Sequence, residues 1–153
     1  MTSSGSPTGH PPQPAAARQR RQLALAGARG QVAKGRDFAR RALQDWGWDG
    51  TESAEDVLLV VSELVTNASL HAGGCLLLVL TRDEVLRIEV FDASTELPRR
   101  DPSPRRGVPG GHGLNIIDRL CDRWGSEVSG HGKAVWAEIE ASRLAPGTAA
   151  GGR

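Results

Sequence analysis

Val57-Leu58-Leu59-Val60-Val61-Ser62-Glu63-Leu64-Val65-Thr66-Asn67-Ala68 is the stretch that decides how the chain is built. Val57, Leu58, Val60, Val61, Leu64, Val65 and Ala68 make a wide apolar stripe at helical spacing, so the segment is a helix buried over much of its circumference. Ser53 followed by Asp56 resembles a capping box in front of it, and Ala72-Gly73-Gly74 ends it after His71. Glu63 and Asn67 are polar exceptions, and their i, i+4 spacing puts both on one face. A carboxylate and an amide oxygen so placed suit a hard divalent cation and a general base, although two solvated side chains would give the same pattern.

Working outward, a second helix over residues 29–46 precedes this one, with Val32, Ala42, Leu43 and Trp46 at helical spacing and Gly47 as its stop. Trp48-Asp49-Gly50 is a turn, and Leu23 and Leu25 suggest a short edge strand ahead of the first helix. Downstream, residues 75–81 and 85–91 are apolar and β-branched around a tight turn, which predicts a hairpin. The irregular segment 92–111 follows, rich in Pro, Gly and Arg pairs. Loops this long inside a compact domain are uncommon and often functional lids. A helix over 114–123 and a second hairpin, 123–128 with 134–140, complete the chain. This order predicts an α+β two-layer sandwich with helices on one face of a mostly antiparallel sheet.

Composition bounds the rest. The chain has 153 residues, 39% hydrophobic and 24% charged, enough apolar material for one core. The net charge of +1 disfavours a globally basic nucleic-acid binder. Residues 1–36 carry six bases and no acid, read here as a solvated tail and a polar helix face rather than a nucleic-acid arm. The longest uncharged apolar run, Cys75 to Leu80, is too short to cross a bilayer, and no secretory signal is visible. Cys75 and Cys121 form no ligand motif and read as buried thiols of a reducing, cytoplasmic compartment. The Pro/Gly-rich ends predict a disordered tail over 1–21, a domain over 22–142 and a flexible tail over 143–153.

Three further features carry chemistry. Asp92 stands at the end of a predicted strand, where it can accept a hydrogen bond from a buried amine or simply form a turn. Gly110-Gly111-His112-Gly113-Leu114 opens a helix, and glycines there let backbone N–H groups approach a phosphate. No Gly-Lys-Ser/Thr follows, so this is not a Walker loop. Gly132-Lys133-Ala134-Val135-Trp136 enters the last strand, with Trp136 a core residue or a nucleotide wall.

Together these residues resemble the Bergerat-fold ATP-binding module of gyrase, histidine kinases and DNA mismatch-repair proteins, and most of all the small bacterial anti-sigma-factor serine/threonine kinases. The phrase from Val60 through Asn67 to His71-Ala72 is similar to that group's N box, and Gly111-His112-Gly113-Leu114 with Asp122-Arg123-Trp124-Gly125 to its glycine region. The resemblance implies that Asn67 ligates Mg2+ on the ATP phosphates and that Glu63 is the general base. It implies that Asp92 bonds the adenine amino group, that Gly111, His112, Gly113 and Leu114 cradle phosphate, and that residues 95–110 close as an ATP lid. It further implies a serine or threonine of a small STAS-type anti-anti-sigma factor as acceptor, a sequestered sigma factor and a homodimer. Asp92-Ala93-Ser94-Thr95-Glu96 lacks both glycines of the family's Asp-x-Gly-x-Gly motif, which keeps open an ATP-binding regulator that sequesters a partner without catalysis.

Overall fold

The computed structural model describes residues 18–96 and 113–145. Five strands form one sheet in the order β1-β2-β3-β5-β4: β1 (Gln19–Ala24), β2 (Leu77–Arg82), β3 (Val85–Asp92), β4 (Arg123–Ser129) and β5 (Gly132–Glu140). Every pairing is antiparallel. Helices α1 (Gln31–Trp46), α2 (Glu52–His71) and α3 (Gly113–Leu120) cover one face, giving the two-layer α+β sandwich expected. β1 begins at Gln19, ahead of the expected boundary at residue 22. At the other end, Leu144 joins the core just beyond the expected end at 142.

The alternation along β3 and β5 sets the two faces. Leu86, Ile88 and Val90 oppose Ile139, Ala137 and Val135 in register, and all six are buried beneath the helices. Val57, Val60, Val61, Leu64 and Val65 of α2 pack into the same core. Fully burying each such side chain contributes about 1.5–3 kcal/mol, which fixes the rotation of α2 about its axis. The opposite sheet face is polar: Arg87 Nη1 donates to Glu138 Oε2 at 2.8 Å, and Arg123 reaches Glu138 and Glu140 at 2.9 and 2.7 Å.

Helix ends differ from expectation in two places. Thr51, not Ser53, caps α2: the Ala54 N–H donates to Thr51 Oγ1 at 3.0 Å, and Glu52 and Glu55 lie in the first turn, where the helix dipole favours acids. α3 stops at Leu120 rather than 123. The Asp122 N–H is already committed to Glu138 O at 2.9 Å, so the chain has joined the sheet before the apolar helical pattern runs out. Gly47 ends α1 at φ 72°, the left-handed cap its sequence position predicted.

Candidate functional site

Positions 52, 56, 59, 63, 67 and 70 form one stripe within the partly or fully exposed face of α2, with 55, 66 and 69 beside it. Glu63 and Asn67 are neighbours on that stripe and both half-buried, so their spacing produces the shared face read from sequence. The oxygen donors of this pair are the hard ligands Mg2+ takes, usually one or two protein groups with phosphate and water. Among the described residues no group of three or more His, Cys, Asp or Glu could hold a metal by itself.

Asp92 is the last residue of β3 and continues the helix-facing row Leu86, Ile88, Val90. It is buried. Its register partner across β3 and β5 is Lys133, which continues the facing row Ile139, Ala137, Val135. The apolar ladder thus ends in a buried ion pair. Lys133 Nζ lies 3.1 Å from both Asp92 oxygens, and Oδ1 also accepts the Ser94 N–H at 2.9 Å. That last bond closes a turn of Asp92 onto residue 94, where the related motif carries glycine. A buried charge is retained only where it is paired, so each member holds the other in place.

Gly113 opens α3, and Leu114 is buried in the core. The Leu114 side chain therefore packs, and what it can offer a ligand is its backbone N–H at the helix N-terminus. Gly111, His112 and the 97–110 part of the expected lid lie outside the described residues. Trp136 takes neither role expected of it. It alternates away from Lys133 and Val135 onto the polar sheet face, where the Arg87 guanidinium sits 4.4 Å from its ring centroid. Trp124 is held as a structural indole, donating from Nε1 to Asp118 at 3.0 Å. His71 is exposed in the last turn of α2.

Both thiols are free. Burial pushes Cys75 up to about 11 and Cys121 up to about 12, the neighbouring Asp92 and Asp122 carboxylates adding to the rise. Neither is a nucleophile at neutral pH. No helix among the described residues is long and apolar enough to cross a membrane.

Lys133 is the site residue sequence reading passed over. Counting in twos back from Ile139 and forward from Ile88 places both Lys133 and Asp92 on the core face, and two opposite charges there have to meet.

These features define a two-layer α+β domain with a polar subsite at one end of its helix-facing sheet surface and a carboxylate–amide pair on the covering helix. The chain belongs to the histidine kinase-like ATPase domain family, whose profile matches residues 25–139. That membership supports ATP binding and a kinase-type ATPase domain. No curated protein matches the sequence. Among solved structures, the catalytic domain of the histidine kinase ThkA is similar at 14% identity over 85% of this chain and 99% of that one, with a TM-score of 0.48.

Proposed function

We propose that the chain is an ATP-dependent protein serine/threonine kinase of the anti-sigma type, which phosphorylates a small STAS-type anti-anti-sigma factor and sequesters a sigma factor. The observation that carries this reading is the Glu63–Asn67 pair, one turn apart on the partly exposed stripe of α2. Asn67 would hold Mg2+, which would supply neutralisation of phosphate charge. Asp92 orients the base, and the N-terminal amides of α3 face the phosphates. The partner's hydroxyl oxygen attacks the γ-phosphorus, its proton passes to Glu63, and the bond to the bridging oxygen breaks to release ADP. Phosphoryl transfer needs mainly positioning and charge neutralisation, which this small set supplies.

A second reading, an ATP-binding regulator without catalysis, is favoured by Asp92 already having Lys133 and Ser94 as partners. Calorimetric titration of ATP with and without Mg2+, then labelled-phosphate transfer to a panel of STAS-domain proteins, tests both. The kinase reading expects Mg2+-dependent binding that Asn67→Ala weakens, and transfer that Glu63→Ala abolishes while ATP binding persists. Transfer undiminished in Glu63→Ala overturns the base assignment. Binding without transfer to any of the panel leaves the regulator as the better reading.

A further inference from the structure

We propose that Lys133 is a gate on the base subsite: its ammonium occupies the Asp92 carboxylate in the ligand-free protein and has to withdraw before a purine amine can bind there. The inference rests on the reading of Asp92 as the base acceptor.

A carboxylate offers about four lone-pair sites. Three are taken, two by Lys133 Nζ at 3.1 Å from Oδ1 and Oδ2 and one by the Ser94 N–H. The remaining one is sealed, because the Asp92 and Lys133 side chains are 2% and 5% exposed. An incoming N–H donor therefore has no path to Asp92 while Lys133 stays.

The lysine is built to move. Its ammonium is a point charge on a flexible four-carbon stem, with none of the fixed fork geometry of arginine. It stands one residue into β5, beside Gly132 and the Gly130-His131 turn, so the stem can swing out at the sheet end without opening the Val90–Val135 layer beneath. Only another N–H donor can replace it on the carboxylate. The exocyclic amine of adenine is such a donor. Unsubstituted purine has a hydrogen in place of that amine and an acceptor at N1, so it offers the carboxylate no such donor.

The test is Lys133→Met in the full chain, with melting temperature and calorimetric titration of ATP and of purine riboside triphosphate measured on the same samples. The melting temperature falls because Asp92 loses its cation, while ATP binds on the order of tenfold tighter, about 1.4 kcal/mol. Purine riboside triphosphate gains nothing. Lys133→Gln keeps a weaker, neutral donor on Asp92, shows a smaller gain, and carries the test if the methionine variant fails to fold. A structural clamp alone would lower stability and affinity together, so their opposite movement is the signature. Unchanged or weaker ATP binding by the variants, with the intact chain still binding, overturns the gate and leaves the nucleotide reading standing. ATP binding by the variants alone supports the gate in its strongest form. No binding by any of the three overturns both.

Discussion

Gly132→Ala tests whether the close approach of β5 to β3 is what builds the Asp92 subsite. A Cβ on Gly132 would overlap the backbone oxygen of Asp92 and lie 3.2 Å from Ala93 Cα and from the Asp92 carbonyl carbon. All three are backbone atoms, so no rotamer change relieves the clash, and the start of β5 has to retreat by roughly 1 Å. Overpacking of this kind costs about 1–3 kcal/mol, and stretching the last ladder bonds adds about 1 kcal/mol. A total near 3 kcal/mol lowers the melting temperature by roughly 10 °C for a domain of this size. The retreat draws Lys133 away from Asp92, so the proposed gate loosens and ATP affinity rises, by at most the roughly tenfold expected of Lys133→Met. Urea denaturation and ATP titration on one preparation read both effects. Gly125→Ala is the control. Its Cβ would meet Trp136 Cζ2 at 2.8 Å, but that ring stands on the polar face and can tilt, so the cost is about 1 kcal/mol with ATP affinity unchanged. A Gly132→Ala protein within about 0.5 kcal/mol of the intact chain would refute the reasoning, as would an equal cost at Gly125.

Two smaller perturbations follow from the same coordinates. Gly35 is buried inside α1, and an added Cβ meets Leu78 Cδ2 at 3.4 Å and Val61 and Val65 methyls at 3.5 Å, ordinary contact distances. Gly35→Ala is therefore expected to stabilise by about 0.5–1 kcal/mol, a rise of a few degrees in melting temperature, and a fall would show that α1 cannot yield to the methyl. At Glu138, burial pushes the carboxyl up, but the Arg123 and Arg87 hydrogen bonds outweigh it and hold it below the usual carboxylate range. A depressed carboxyl stabilises fully above its unfolded value of about 4.3 and loses that contribution as pH falls through the folded value. The melting-temperature gap between intact protein and Glu138→Gln should thus be widest near neutrality and shrink below about pH 4; a gap constant down to pH 3 removes the pair from the stability balance.

The elements were legible because their signals are local. The stripe from Val57 to Ala68 can bury its apolar residues only as a helix, and the glycine after Trp46 stops α1 where a left-handed residue is needed. What misled was local as well. Ser53-x-x-Asp56 looks like a capping box, yet Thr51 starts the helix earlier, because any of several neighbouring hydroxyls can cap and tertiary packing chooses among them. The helical pattern of α3 runs on to Cys121, but the β4–β5 ladder claims Asp122 first.

The site divides along the same line. Glu63 and Asn67 share one helix, so spacing alone places them together. Asp92 and Lys133 are 41 residues apart, and only the strand register, Asp92 against Lys133 and Val90 against Val135, brings them into contact. Trp136 shows the converse. Its bulk and apolarity suggest a core or a nucleotide wall, but parity along β5 is set by Val135, Ala137 and Ile139, and a residue of the other parity goes to the other face whatever its chemistry. Parity also explains how Asp92 keeps its buried place without the two glycines that follow the aspartate in related motifs. The position of Asp92 depends on the β3 alternation, and Ser94 closes the turn through its own N–H to Oδ1, so the carboxylate is held by strand and turn together. A carboxylate fixed this firmly, with a lysine opposite it in register, meets that lysine first, and under the proposed gate a base would bind there only by exchange.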